Sequence, residues 1–288
     1  MLNIPFLKKN NKKVSDNEDK DIIPLEDFLY SKELINKSYI QIETSSKKVI
    51  INKIVEDYRE PHKLYQGINI IQNFDNGFYF TDYTNQGDIV SIYLRNYDTS
   101  KITTMKCMFL NLHISEIDVS HFNTSNVVNM CSMFEKCYNI NELYLGNFIT
   151  SNVTNMSHMF YECNNLRKIN LTSFDTTNVQ DMSYMFKDCT NLDELDLSSF
   201  KLDNIRYISD FLKGCYDLKS LDVSNFDFSK NKPITYGHMF YGCNNLSYIR
   251  CKKSFYEWCM KHEDEISLPY NMSKNGNGFW EIYDFFEK

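Results

Sequence analysis

The side chains in this sequence best equipped for chemistry are its cysteines and histidines. The densest group of them lies near the C-terminus, where Cys251, Cys259 and His262 follow Cys243. Thiolate and imidazole are the ligands of a tetrahedral zinc site, which usually draws them from closely spaced Cys or His pairs. No Cys-x-x-Cys pair occurs here, so buried structural thiols are the favoured reading. A Cys251–Cys259 disulfide, or a small enzyme or metal centre built on this Cys/His cluster, stands as the alternative. His121, His158 and His238 have no Ser, Cys or Asp at the spacing that would make a nucleophile and its base. No catalytic residue, metal ligand or cofactor is assigned, and the expectation is a protein that is not an enzyme.

Cys243 belongs to a larger pattern. Cys137, Cys163, Cys189 and Cys215 are spaced by 26 residues, as are Phe122, Phe148, Phe174, Phe200 and Phe226. Two residue types in one register define a repeat, and a period of this length signals a solenoid or a propeller. Nine cysteines would suggest a disulfide framework, but five of them occupy one slot of the unit. The units run from Ile89 to His113, Ile114 to Asn139, Ile140 to Asn165, Leu166 to Asn191, Leu192 to Asp217 and Leu218 to Asn245, with a last strand from Leu246.

The front half of each unit alternates. Ile117 and Val119, Leu143 and Leu145, Ile169 and Leu171, Leu195 and Leu197, and Leu221 and Val223 each define a strand with one buried face. In the back half, Val153, Met156, Met159 and Phe160 share one side of a helix, with Ser151 as its N-cap and Gly214 and Gly242 in later units as left-handed helix ends. Strands pack about 4.8 Å apart and helices about 8–10 Å apart, so such a stack must curve with its strands inside. The spacing therefore predicts an α/β repeat: a curved solenoid with short strands on the concave side, short helices on the convex side, and the phenylalanines in a column.

The pattern Leu-x-x-Leu-x-Leu-x-x-Phe, then Thr-Ser-Asn-Val-Thr-Asn-Met-Ser-x-Met-Phe, then Cys-x-Asn, over about residues 89–251, resembles the BspA-like leucine-rich repeats of bacterial surface proteins and some protist proteins. The resemblance implies a leucine-rich-repeat solenoid and an adhesin-like or effector-like role in which a protein is held. Residues Ile208-Ser-Asp-Phe-Leu212 depart from Met-Ser-x-Met-Phe while keeping its hydrophobicity.

The flanks lack the repeat. Residues 1–21 read as a charged, mobile tail, and 22–88 as an α+β cap with a helix over roughly 24–36 and strands at 39–42, 49–55, 68–71 and 78–83. The solenoid occupies 89–251. Residues 252–288 form an aromatic cap with a helix through Phe255, Trp258 and Cys259 and a strand at 279–283.

The net charge of -7 disfavours nucleic acid. The N-terminus lacks the charged start and apolar run of a secretory leader, and no apolar run is long enough to span a bilayer. A cytoplasmic location follows by default, whereas the family resemblance implies the cell surface or secretion. Sequons at Asn36, Asn123, Asn152, Asn170 and Asn271 are expected by chance in so Asn-rich a chain.

Alternation assigns the outward strand positions to Ser91, Tyr93, Glu116, Asp118, Glu142, Tyr144, Lys168, Asn170, Glu194, Asp196, Ser220, Asp222, Tyr248 and Arg250. Six are acidic and two basic, so the expected partner-binding surface is an acidic concave face carrying tyrosines and suited to a basic protein. The partner-binding residues are expected to be Tyr93, Glu116, Asp118, Glu142, Tyr144, Asn170, Glu194, Asp196, Asp222 and Tyr248.

Overall fold

A computed structural model describes the backbone of residues 22–24, 39–44, 48–51, 62–65, 68–73, 77–82 and 89–95, and the chain over 99–229, 233–273 and 276–283. The tail at 1–21 lies outside the described residues. So does the helix expected over 24–36, apart from Pro24, which ends a strand.

Branched and aromatic residues form β1 (Ile22–Pro24), β2 (Tyr39–Thr44), β3 (Lys48–Ile51), β4 (His62–Tyr65), β5 (Ile68–Asn73) and β6 (Gly77–Asp82). β5 and β6 are antiparallel, with Asn73 opposite Gly77. β2 pairs antiparallel with β7 (Ile89–Arg95), and β7 pairs in parallel with β8 (Glu116–Asp118). The edge of the first repeat strand is therefore occupied by β2.

From β8 onward the repeat winds a β-solenoid of about five turns. β9 (Glu142–Tyr144) pairs with β10 (Lys168–Asn170) in parallel and in register, so that Leu143 faces Ile169. β11 (Glu194–Asp196), β12 (Ser220–Val223) and β13 (Tyr248–Lys252) continue the same way. Leu143, Leu195, Leu221 and Ile249 are buried between exposed or half-buried neighbours, the alternation read from the sequence.

The back halves are not helices, which corrects the expectation of helices on a convex side. Every second N–H there leaves its own turn: those of Met130, Ser132, Phe134 and Lys136 donate to the carbonyls of Asn155, Ser157, Met159 and Tyr161 at 2.7–2.9 Å. The intervening N–H groups of Met133, Glu135 and Cys137 close local bonds to Met130, Ser132 and Phe134. An α-helix would send all of them to i−4. Left-handed residues four apart, Ser132 (φ 57°) and Lys136 (φ 61°), His158 and Glu162, Tyr184 and Asp188, interrupt any helical run. Each such conformation costs about 1–2 kcal/mol for a residue with a Cβ, and the bonds between turns offset it. Gly214 (φ 79°) and Gly242 (φ 84°) occupy the same slot, so they are left-handed as expected but end no helix. Ser151 caps nothing; its carbonyl accepts from Asn178 Nδ2 at 2.8 Å. Parallel bridges link Thr104, Asn129, Asn155, Asp181, Tyr207 and Thr235 in succession. The back halves are thus spaced by backbone hydrogen bonds and not by helix packing, so the spacing argued from packed helices does not apply to them.

Turns of this kind place every third or fourth side chain inward, as a helix would. Met130, Met156 and Met182 are fully buried, and so is a second aromatic column, Phe109, Phe134, Phe160 and Phe186, with centroids 5.3–5.8 Å apart. The predicted column Phe122, Phe148, Phe174 and Phe200 stacks at 6.1–6.4 Å. In the departing unit Phe211 and Leu212 exchange sizes, and Phe211 meets Phe186 edge-on at 87°. Each ladder cysteine donates its S–H to a carbonyl of the preceding turn, Cys137 to Phe109, Cys163 to Phe134, Cys189 to Phe160, Cys215 to Phe186 and Cys243 to Leu212, all at 3.1 Å.

The solenoid ends in α1 (Lys253–Lys261), whose Phe255 and Trp258 pack against Phe228, and in β14 (Phe279–Tyr283), which pairs in parallel with β13. Among the described residues no helix is long and apolar enough to cross a membrane.

Candidate functional site: the strand face

The outward positions of the strands form two columns. The first runs Glu116, Glu142, Lys168, Glu194, Ser220 and Tyr248; the second runs Asp118, Tyr144, Asn170, Asp196, Asp222 and Arg250. Register sets Ser91 beside Glu116 and Tyr93 beside Asp118 at one end. At the other end β14 sets Phe279 beside Tyr248 and Glu281 beside Arg250. Phe279 and Glu281 were missed as site residues, although the strand that carries them was anticipated, because β14 lies outside the 26-residue period. With Glu281 the face holds seven carboxylates against Lys168 and Arg250.

The two columns differ in how their side chains are used. In the second column the side-chain oxygen turns back onto the chain: Asp118 accepts from the Ser120 N–H at 3.0 Å, Asn170 from Thr172 at 3.1 Å, Asp196 from Ser198 at 2.9 Å and Asp222 from Ser224 at 2.9 Å. These turns end the strands, so Asp or Asn is required there by local geometry. Tyr144 and Arg250 are the departures, followed by Gly146 and Lys252 instead of a hydroxyl residue.

The charges also pair along the stack. Lys168 Nζ is 3.2 Å from Glu142, whose carboxylate also accepts from the Tyr144 hydroxyl. That hydroxyl and the lysine hold the Glu142 carboxyl below its ordinary pKa, and the carboxylate raises Tyr144 and Lys168 in turn. Arg250 Nη1 lies 3.3 Å from Asp222 and its Nε 3.9 Å from Glu281, while the Tyr248 hydroxyl donates to Glu281. Tyr248 stacks on Phe279 at 5.9 Å. Glu194 and Asp196 are exposed between these two paired groups.

The C-terminal Cys/His group is not brought together as a ligand set. Cys251 on β13 and Cys259 on α1 are buried, and burial pushes both thiols up, Cys251 to about 12. His262 ends α1 against Trp258 and Tyr236, with Nδ1 3.4 Å from Glu265. Among the described residues no three His, Cys, Asp or Glu side chains gather as a metal site. His121 is exposed, and His238 Nδ1 lies 3.1 Å from the Ser267 hydroxyl. His158 does have a thiol beside it, Cys131 of the preceding turn, an arrangement that spacing along the chain does not show.

The family described as "Mycoplasma protein of unknown function, DUF285" matches over residues 72–169 and 144–250, more than half of the chain. The chain belongs to this family. The matched segments run from the end of β5 through β6 to β12 and take in most of β13. Among solved structures, similarity is found to the crystal structure of a leucine-rich repeat protein from Bacteroides ovatus, at 12% identity over 77% of this chain and 100% of that one. The TM-score of 0.16 is too low for the superposition to carry an argument. No curated protein matches.

Proposed function

We propose that this DUF285 protein is a non-enzymatic interaction module of the BspA-like leucine-rich-repeat kind, adhesin-like or effector-like, that holds a basic protein or peptide on its acidic strand face. The observation that supports this reading is the composition of the first column. Its side chains end no strand, yet three of the six are glutamates and the last is a tyrosine stacked on Phe279. A carboxylate row steers a cationic partner, and the aromatic end supplies contact area.

The test uses residues that the turns do not need. Glu116→Lys, Glu142→Lys and Glu194→Lys are combined in one variant, and Asp203→Lys, Glu257→Lys and Asp264→Lys, exposed away from the strands, form a control with the same net charge. An oligolysine peptide is titrated against both by calorimetry. Removing three ion pairs worth roughly 0.5–1 kcal/mol each predicts a loss of about tenfold or more in affinity. The face variant should lose it and the control should not; equal affinities would defeat the proposal.

A further inference from the structure

Seven of the nine cysteines are buried, and two, Cys107 and Cys131, are partly exposed in the first two turns. Cys131 stands where later turns carry Ser157, Ser183 and Ser209, and Cys107 occupies the left-handed slot of Ser132 and His158. The packing ladder therefore does not account for either thiol.

Their surroundings are organised. The Cys107 N–H donates to the Cys131 carbonyl at 2.9 Å. The parallel offset of Thr104 and Asn129 sets Cys107 opposite Ser132, with Cys131 one residue along; a step of about 4.8 Å across and about 3.3 Å along puts the two Cα atoms about 6 Å apart, inside the usual disulfide range of about 4.4–6.8 Å. The Ser132 hydroxyl lies 3.5 Å from the Cys131 sulfur and also hydrogen-bonds Cys107, so one small side chain touches both thiols. From the next turn Ser157 Oγ is 3.3 Å from the Cys131 sulfur and His158 hydrogen-bonds it. Ser157 has a single proton and a closer acceptor, Asn155 Oδ1 at 2.7 Å, which leaves His158 and Ser132 as the donors for a thiolate. The His158 ring is held by stacking on Tyr184 at 4.6 Å.

We propose that Cys107 and Cys131 form a thiol–disulfide exchange site for a low-molecular-mass disulfide, with Cys131 attacking and Cys107 resolving. Cys131 releases its proton to solvent, and the thiolate attacks one sulfur of the small disulfide. A bond from Cys131 to that sulfur forms as the S–S bond breaks, and the departing thiolate takes a proton from solvent. Cys107, deprotonated in the same way, then attacks the Cys131 sulfur and expels the second small thiol. Two protein thiols are oxidised and one small disulfide is reduced to two thiols, so no other oxidant is needed.

The two sulfurs differ in the sense these roles require. At Cys131 burial pushes the pKa up, but the polar contacts around the sulfur, that of His158 foremost, and the charge of Lys106 outweigh it and hold the thiol below its ordinary value. At Cys107 burial dominates, the Cys131 sulfur adds to it, and the thiol stays raised. The attacking thiol is the one with more thiolate.

Glutathione disulfide is incubated with the full chain near neutral pH, and the products are read by intact mass and peptide mapping. Wild type should yield a Cys107–Cys131 disulfide without retained glutathione, Cys107→Ser a stable adduct on Cys131, and Cys131→Ser a reaction slowed by at least about tenfold. His158→Phe, which keeps a ring on Tyr184 but no N–H, should slow the first step. Serine already fills both slots in neighbouring turns, so the serine variants retain the fold. Retained glutathione on wild type, or Cys131→Ser reacting as fast as wild type, would overturn the proposal.

Discussion

Replacing Thr150 by valine tests how successive turns are held together. The Thr150 side chain is 1% exposed, and its hydroxyl substitutes for a strand partner. It accepts from the Asp175 N–H at 2.8 Å and donates to the Asp175 carbonyl at 2.9 Å. Thr99, Thr124 and Thr176 repeat the arrangement toward Asn123, Ile149 and Lys201. Valine keeps the shape and removes both bonds, leaving the part-buried N–H and carbonyl of Asp175 without their partner. Each bond is worth about 0.5–1.5 kcal/mol at a part-buried site, so the loss should be roughly 1–3 kcal/mol. For a domain of this size that lowers the melting temperature by roughly 2–12 °C. Thr150→Ser keeps the hydroxyl and should lose less than half as much. Urea titration gives the energies, and amide exchange at Asp175 gives the local opening. Thr150→Val within about 0.5 kcal/mol of wild type, with Asp175 still protected, would refute the bridging role.

Two further outcomes follow from the same geometry. Cys137, Cys163, Cys189, Cys215, Cys243, Cys251 and Cys259 are all raised by burial, Cys163 and Cys243 to about 12, from an ordinary value of 9.0. Above about pH 9 the unfolded chain therefore binds fewer protons than the folded one, and stability falls by up to about 1.4 kcal/mol per pH unit for each thiol. Melting temperatures measured from about pH 8 to about pH 10.5 should drop steeply, and a flat profile would contradict the buried-thiol ladder. At the strand exit, Asp196→Asn keeps the acceptor for the Ser198 N–H and should leave stability within about 0.5 kcal/mol, whereas Asp196→Ala should cost about 1 kcal/mol; equal losses in thermal melts would show that the carboxylate does not hold the turn.

The strands were legible because alternation has few physical sources. Ile117, Leu143, Ile169 and Leu195 all face inward, and the shared register of Cys137 to Cys215 forced a stack. The helices failed for an equally physical reason. Val153, Met156, Met159 and Phe160 at offsets of three, six and seven satisfy a helix, but they also satisfy a chain of i to i+3 turns. Side-chain spacing does not reveal whether alternate N–H groups close inside a turn or cross to the next. The signal was in the polar letters. Asn126, Asn152, Asn178 and Asn204 reach back to carbonyls of the preceding turn at 2.7–2.8 Å, while the threonines reach forward. Part of the Asn richness is structural: of the sequon asparagines, Asn152 donates to the preceding turn, while Asn123 and Asn170 accept the N–H two residues on through their side-chain oxygens.

The same distinction reorganises the candidate face. Fourteen outward residues look equivalent in sequence, but Asp118, Asn170, Asp196 and Asp222 of the second column recur as Asp or Asn because a turn two residues later needs their oxygen. Their negative charge is largely a by-product of strand termination. The first column carries no such duty, and it changes in a direction, from Glu116 and Glu142 through Lys168 and Glu194 to Tyr248 and Phe279. A surface acidic at one end and aromatic at the other is polar along the solenoid axis. On the interaction reading, a partner that meets it in both orientations equally well would have to ignore that gradient. An extended partner with its cations toward the N-terminal turns and an apolar group toward β14 fits the gradient, and the reversed one sets its cations over Tyr248 and Phe279.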